Sequence, residues 1–312
     1  MEKITKLIEK DRPNIRPITL RNYTRYLTTI LKGLDSEDIK VLKSFNKVKT
    51  FLNTKKMSVR KALTASILVY LRAEENEKNE EIINKYRIYL LDLNKEYNKD
   101  KSTRQKSERE DKNWTTLEQL HEIRNKLHKR VVDNNIPIKN GLTSRNMDYL
   151  QQYIVASLYT LLPPRRNIYA STKLIKERDY KKLRGDDRKQ NYLVYNKGKT
   201  KIFFHFGKHK SKNVDEQKIE VTKELKKVLK LWLKFNDSEY LLLNKQGNRM
   251  TENGLTKYLN KVFKIEGKKI SSSMIRKIFS TEITSKAHKL IEDTAEKMGH
   301  SVGEQKRSYV KK

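Results

Sequence analysis

The sequence predicts a mainly α-helical protein that carries one small antiparallel β-sheet, an α+β arrangement. Three observations support this prediction. Apolar residues recur at helical spacing over most of the 312 residues. Residues 191–221 are instead rich in β-branched and aromatic side chains separated by polar turns, which is typical of strands. Residues 98–113 contain no hydrophobic residue and separate two helical regions.

The N-terminal region is expected to form a small all-helical domain, residues 1–97. Pro17 and Thr19 are typical of a helix start, and the apolar residues that follow them repeat with helical spacing. Three further helices show the same periodicity, and they begin near Asp38, Ser58 and Ile82. We interpret residues 98–113 as a charged linker, because a segment without apolar residues cannot offset the entropy of ordering.

Residues 114–312 are expected to form a second, larger domain. Thr115 and Glu118 have the spacing of a capping box at a helix start. Another helix is expected from Arg145 to Leu162, where a double proline stops it. The predicted strands of the small sheet are residues 191–195, 201–206 and 218–221. Helical periodicity returns after the last strand.

The charge of the chain indicates a partner made of phosphates. Lys and Arg number 71 against 38 Asp and Glu, which gives a formal net charge of +33. Each neutralised phosphate releases counterions and increases affinity, so nucleic acid is the first hypothesis. A genome rich in A and T accounts for part of the lysine excess, but not easily for all of it.

The composition also excludes several classes of protein. The chain has no cysteine, which excludes disulfide scaffolds, zinc sites built on thiolates and thiol nucleophiles. No apolar run approaches the about 20 residues of a membrane span. The N-terminus has no apolar stretch of signal-peptide length. We therefore expect an intracellular protein that does not contact a membrane.

Several polar motifs follow one another in the second region. Arg165 and Arg166 follow the double proline in LPPRRNIYA, and Arg276 lies in the apolar segment SSSMIRKIF. His300 precedes Tyr309 by nine residues in MGHSVGEQKRSY. The turn between two predicted strands, GKHKSK, contains Lys208, Lys210 and Lys212. Each motif is common by itself, and the information lies in their order.

This order resembles that of the tyrosine recombinases, the family of phage lambda integrase. The segment Met298–Ser301 and the interval from His300 to Tyr309 match the end of that family's catalytic domain. The resemblance covers the region from Trp114 to Tyr309 and, more faintly, the N-terminal module, which is similar to a SAM-like core-binding domain. It implies an enzyme that cleaves and rejoins double-stranded DNA as a homo-tetramer on two sites, without a metal or another cofactor.

The resemblance also implies roles for individual residues. Tyr309 is expected to be the nucleophile that forms a 3′-phosphotyrosyl bond, and Arg166 and Arg276 are expected to hold the scissile phosphate. Lys210 is expected to protonate the departing 5′-oxygen, and His300 to hydrogen-bond the phosphate or accept the tyrosine proton. Three alternatives stay open, namely Arg165 in place of Arg166, and Lys208 or Lys212 in place of Lys210.

Two departures from the family pattern affect these expectations. Ser273 stands where the family commonly has histidine or lysine, and a serine cannot act as a general base near neutral pH. Only three residues follow Tyr309, so exchange of a C-terminal helix between subunits is not expected. The acidic pair Asp186 and Asp187 is expected to be a solvated turn rather than a two-metal centre, and the remaining histidines suggest no metal site.

Other functions remain compatible with the residues. A non-catalytic DNA-binding protein with a recombinase fold, a type IB topoisomerase and a telomere resolvase are the alternatives, and a metal-dependent nuclease is weaker. The abundance of Lys, Ile and Asn and the PPRRN motif resemble recombinases of eukaryotic large DNA viruses and their parasites, which are mobile genetic elements. Such a protein would act in the host nucleus or viral factory, and a bacterial one in the cytoplasm.

Overall fold

The chain divides into two compact units, residues Met1–Gln105 and Lys106–Lys312. The computed structural model describes residues 1–74, 79–103, 105–207 and 216–304. The secondary structure is mainly helical with one small sheet, which confirms the α+β fold class. The division between the units falls within residues 98–113, the predicted linker.

The first unit is built from amphipathic helices around one apolar core. Its described helices are α1 (Glu2–Asp11), α2 (Pro17–Gly33), α3 (Phe45–Asn53), α4 (Met57–Ala73) and α5 (Glu80–Ser102). Leu27 of α2 and Leu63 of α4 are fully buried in this core. The hydroxyl of the buried Tyr86 donates a hydrogen bond to the carbonyl of Leu42 at 2.8 Å. This bond ties α5 to the short 3-10 helix Ile39–Lys43, which precedes α3.

The predicted linker contains more regular structure than its composition indicates. Helix α5 continues to Ser102, and α6 (Glu108–Asn113) begins with a capping box between Ser107 and Glu110. The side chain of Asn113 is buried, and its Oδ1 accepts a hydrogen bond from the backbone N–H of Lys269 at 2.5 Å. Hydrogen bonds and caps therefore order a segment that has no apolar side chain to bury.

Two packed helices follow α6 in the second unit. They are α7 (Leu117–Asp133) and α8 (Ser144–Thr160). The capping box of α7 joins Thr116 and Gln119, one residue later than the predicted pair, because the side chain of Thr116 accepts from the Gln119 N–H. Residues 150–160 of α8 are buried on every face, so this helix runs through the centre of the unit.

The sheet has four strands in the order β1-β2-β3-β4. These strands are β1 (Lys173–Lys176), β2 (Asn191–Tyr195), β3 (Ile202–Phe206) and β4 (Gln217–Glu220). The β2–β3 and β3–β4 pairs are antiparallel as predicted, but β1 is parallel to β2, so the prediction of a purely antiparallel sheet was wrong. Strand β1, with the sequence KLIK, is too short and too polar to leave a strand signal, and hydrogen bonds to β2 define it.

The end of β3 is fixed against the segment that precedes β2. His205 is 2% exposed, and its Nε2 donates to the Arg188 carbonyl at 2.7 Å, so its Nδ1 accepts from the Tyr180 hydroxyl at 3.1 Å. The backbone N–H of Gly207 donates to the carbonyl of Gln190 at 3.2 Å. These bonds hold the loop end of the β3–β4 hairpin in place.

The rest of the second unit is helical. Its described helices are α9 (Glu177–Tyr180), α10 (Gly185–Arg188), α11 (Lys223–Phe235), α12 (Glu252–Val262), α13 (Ser272–Lys297) and α14 (Val302–Glu304). The indole N–H of the buried Trp232 on α11 donates to the carbonyl of Leu241 at 2.9 Å. Helix α13 is continuous over 26 residues, or about 39 Å, far longer than the other helices of the unit.

Candidate active site

The two neighbouring arginines lie where α8 gives way to the 3-10 helix Asn167–Ser171. Pro163 and Pro164 stop α8 because proline cannot continue a helix. Arg166 is exposed. Arg165 is half-buried, with Nη2 donating to Oε1 of Gln217 at 2.5 Å and its guanidinium carbon 4.1 Å from the centre of the Phe206 ring. Burial lowers the pKa of Arg165.

Arg165 lies at the loop end of the β3–β4 hairpin. Phe206 and Gln217, which hold its side chain, are paired with each other across the two strands. They are the last described pair before the connecting loop, and the predicted Lys208, Lys210 and Lys212 lie in that loop, outside the described residues. Sequence reasoning did not find Gln217, because a partner 52 positions away leaves no local pattern.

Two buried tyrosines pack against each other, one near the end of α8 and one in the 3-10 helix that follows. The rings of Tyr159 and Tyr169 meet edge to face with centroids 5.5 Å apart, and both are fully buried. Burial raises the pKa of Tyr169, and the positive charge of Arg165 opposes that rise. Burial and Tyr169 raise the pKa of Tyr159, and here the charge of Arg276 opposes the rise. The charge of each arginine therefore lowers the pKa of one tyrosine of this pair.

Arg276 lies near the start of α13. The N-cap Ser271 begins this helix by accepting from the Met274 N–H. Ile275 and Ile278 are buried, as predicted for this apolar turn, and Arg276 between them is half-buried. No carboxylate in the described part of the chain forms an ion pair with Arg276. A partly buried arginine without an internal anion is suited to an external one.

His300 lies beyond the other end of α13. Gly299 has a φ of +74°, the left-handed conformation that ends many helices. The Gly299 N–H donates to the carbonyl of Glu296 at 3.0 Å, and the His300 N–H donates to that of Ala295 at 3.1 Å. These two bonds form a Schellman motif, which fixes the backbone of His300 at the tip of the helix.

The predicted site residues that the structure describes do not form one cluster. His300 follows Arg276 by 24 positions along a continuous helix, which places their backbones about 36 Å apart. Ser273 is exposed on the first turn of α13. Tyr309 lies outside the described residues. The described geometry thus places Arg165 and Arg276 near one aromatic pair and His300 far from both.

A cavity of about 870 Å³ opens between the starts of α8 and α12, away from the predicted site residues. Asp148 lies in its wall and accepts hydrogen bonds from Lys261 Nζ at 2.7 Å and the Tyr258 hydroxyl at 2.9 Å. Burial raises the pKa of Asp148, but these hydrogen bonds outweigh it, so the pKa lies below its ordinary value of 3.8. Asp148 therefore ties α8 to α12 as a carboxylate.

The acidic pair that could suggest a metal centre is engaged in local contacts. Asp186 forms an ion pair with Lys189 at 2.9 Å, and Asp187 accepts from Gln190 Nε2 at 3.1 Å. Over residues 1–74, 79–103, 105–207 and 216–304, no group of three or more histidine, aspartate and glutamate side chains is arranged to hold a metal ion. No helix in the same ranges is long and apolar enough to cross a membrane.

Comparisons with known proteins give a likeness to solved structures. No protein-family model matches the chain, and no curated protein matches it either. Among solved structures, the crystal structure of XerA recombinase is similar, and the match covers 91% of this chain and 84% of that one. The sequence identity is 12% and the TM-score is 0.34. A likeness of this size does not establish a shared fold or activity.

Proposed function

We propose that this protein is a tyrosine-type DNA strand transferase, a site-specific recombinase or integrase. The observation that carries the proposal is the presence of two half-buried guanidinium groups, Arg165, which Gln217 and Phe206 hold, and Arg276. Arg276 has no carboxylate partner among the described residues. In a chain with a net charge of +33, the anion that suits them is a DNA phosphate.

The two arginines would stabilise the charge that builds on the phosphate during attack. A planar guanidinium can donate to two oxygens at once, and donors held in place before the reaction stabilise a transition state best. Arg165 meets this requirement, because Phe206 and Gln217 already hold it. The sequence favoured Arg166, which is exposed. The geometry favours Arg165, and separate substitutions distinguish them.

The covalent step follows the resemblance to the tyrosine recombinases. The Tyr309 oxygen attacks the phosphorus, the bond from phosphorus to the 5′-oxygen breaks, and a 3′-phosphotyrosyl bond forms. The tyrosine proton passes to His300 or to water, and Lys210 protonates the departing 5′-oxygen. The reverse reaction with another 5′-hydroxyl rejoins the strand. No external energy source is needed, because one phosphodiester replaces another.

The rest of the predicted arrangement belongs to the same proposal. Residues 1–97 would bind DNA as the core-binding domain, residues 114–312 would carry out the chemistry, and a homo-tetramer would hold two double-stranded sites. Exposed Ser273 would contribute at most a hydrogen bond to phosphate. The protein would act wherever its DNA is, in a host nucleus or viral factory for a viral element, or in the cytoplasm of a bacterium.

The test uses a nicked duplex that traps the covalent intermediate, incubated in EDTA and resolved on a denaturing gel. Because the target sequence is unknown, the duplexes carry a randomised central region. We expect a covalent protein–DNA band with wild type and with the control Tyr195→Phe, and none with Tyr309→Phe. We expect Arg165→Ala to slow its formation about 100- to 1000-fold, and Arg166→Ala to slow it less than about tenfold.

A second candidate is a non-catalytic DNA-binding protein. The separation of Arg276 from His300 along α13 favours this alternative, because it leaves the predicted site unassembled. It predicts salt-sensitive binding that Tyr309→Phe does not change, and no covalent band on any duplex. A type IB topoisomerase or telomere resolvase would form the band on one DNA site, whereas a recombinase would need two sites for strand exchange. Loss of cleavage in EDTA would indicate a nuclease.

A further inference from the structure

The cavity between the starts of α8 and α12 has walls that hydrogen bonds hold in place. The bonds of Asp148 described above join α8 to α12. Gln151 joins α8 to the turn that contains Leu243, because its Nε2 donates to the Leu243 carbonyl at 3.0 Å and its Oε1 accepts from the Leu243 N–H at 2.8 Å. The cavity is therefore formed before any ligand arrives, and its volume of about 870 Å³ is typical of a small-molecule site.

The interior of this cavity is suited to a hydrocarbon. Three of the side chains that line it are apolar, namely Met147, Leu243 and Met250. The buried and half-buried polar side chains of the wall are already hydrogen-bonded within the protein, and they are Asp148, Gln151, Trp232 and Tyr258. A sugar or a nucleobase would lose its hydrogen bonds to water here without replacement. A hydrocarbon body has no such bonds to lose, and its burial is favourable.

The solvent side of the cavity carries an excess of positive charge. Arg145, Lys245 and Lys257 line the cavity and are exposed, so their charges lie at its opening. No carboxylate in the described ranges forms an ion pair with any of the three. Asp148, the acidic side chain of the described wall, already pairs with Lys261. The opening is therefore suited to a negatively charged group.

We infer that this cavity binds a small amphiphilic anion, a free molecule with one hydrocarbon body and one carboxylate, sulfonate or phosphate head. The body packs against Met147, Leu243 and Met250, and the head faces the three cations at the opening. A cavity of bounded volume accommodates a single such molecule. The site is separate from Arg165 and Arg276, so the inference does not rest on the proposed strand transfer.

The test is calorimetric titration of the full chain, without DNA, with hexanoate, octanoate and decanoate. We expect one molecule to bind per chain, with affinity rising about tenfold for each two added methylene groups. We also expect a negative heat-capacity change, which marks the burial of apolar surface. Octanol has the body without the charge, and inorganic phosphate has the charge without the body. Each should bind at least about threefold more weakly than octanoate.

Two matched pairs of variants locate the binding. Met147→Glu places a negative charge in the apolar wall and should weaken octanoate binding at least about tenfold, whereas Met147→Leu should stay within about threefold of wild type. Lys257→Gln should weaken it about two- to fivefold, whereas Lys230→Gln, an exposed position on α11 outside the cavity, should have no measurable effect. Met147→Gln replaces Met147→Glu if circular dichroism shows that the latter does not fold.

Several outcomes would overturn the inference. Absence of saturable octanoate binding would refute the site. Binding of many molecules per chain that neither Met147→Glu nor Lys257→Gln weakens would show adsorption to the basic surface only. Octanol bound as tightly as octanoate would refute the role of the charge. Adenosine monophosphate bound more tightly than octanoate, and lost in Met147→Glu, would refute the hydrocarbon body. Binding confined to vesicles of anionic phospholipid, with none of free octanoate, would refute a free ligand.

Discussion

Replacement of Gly207 by alanine gives a direct test of how the loop end of the β3–β4 hairpin is packed. A Cβ atom at this position would lie 2.4 Å from the carbonyl oxygen of Arg188 and 2.7 and 2.8 Å from backbone atoms of Lys189. Ordinary contacts between such atoms are about 3.5 Å, so the two segments must separate by about 1 Å. The separation would also weaken the hydrogen bond from Gly207 to Gln190.

The expected cost combines two contributions. Overpacking against rigid backbone costs about 1–3 kcal/mol, and a weakened backbone hydrogen bond adds about 1 kcal/mol. A total of about 2–4 kcal/mol would lower the melting temperature of a unit of this size by about 5–15 °C. Calorimetry or circular dichroism of the full chain measures the shift of the transition of the second unit.

The neighbouring β2–β3 turn supplies the control. A Cβ on Gly198 would meet only Cγ2 of Thr200, at 3.8 Å, which is an ordinary contact. Gly198→Ala should therefore change the free energy of unfolding by less than about 0.5 kcal/mol, or raise it slightly. If Gly207→Ala melts together with wild type and Gly198→Ala, the close approach of β3 to Arg188 and Lys189 is wrong. The explanation of how the loop end of the hairpin is held in place would then fail as well.

Three further outcomes are expected. Tyr86→Phe should lower the stability of the first unit by about 1–2 kcal/mol, because the buried carbonyl of Leu42 loses its donor; chemical denaturation measures this, and an unchanged midpoint would contradict it. Asp148 has a lowered pKa, so its stabilising effect is present above about pH 4 and is lost as the pH falls through the folded-state pKa. Asp148→Asn should therefore be less stable than wild type at pH 7, and the difference should shrink in acid. DNA affinity should fall at least about 1000-fold between 50 and 200 mM salt if six or more phosphates are neutralised, and a flat titration would argue against phosphate contacts.

Local sequence signals predicted the elements whose causes are local. Helix α2 begins at Pro17 and α8 ends before Pro163, as their sequences indicate. Strands β2 and β3 were predicted within one residue, because β-branched and aromatic residues are concentrated there. The pattern of hydrophobic residues is strong in these elements, and their neighbours in sequence decide their form.

Features that depend on distant partners could not be predicted in the same way. Strand β1 exists because its backbone forms hydrogen bonds with β2 and with the carbonyl of Glu239, and a polar four-residue segment carries no signal of that pairing. Helix α6 is ordered by its capping box and by the bond from Lys269 to Asn113, more than 150 positions away. An estimate based on apolar burial alone omitted both contributions.

The candidate site also contains some features with local causes and others that depend on distant residues. The motifs identified Arg276 and His300, and the apolar residues around Arg276 correctly predicted a buried turn. The choice between Arg165 and Arg166 depends on Gln217 and Phe206, which belong to other elements. The length of α13 was equally invisible, because the sequence around Thr281 and Ser285 forms helix only weakly and periodicity cannot show whether it continues.

The contacts of Arg165 also affect the thermodynamics of ligand binding. An arginine side chain loses about 2 kcal/mol of rotamer entropy when it is fixed in one geometry. In this protein Phe206 and Gln217 fix it during folding, before any phosphate arrives. Anion binding at Arg165 should therefore carry a smaller entropic penalty than binding at the exposed Arg166, and calorimetric titration of the two alanine variants would separate their contributions.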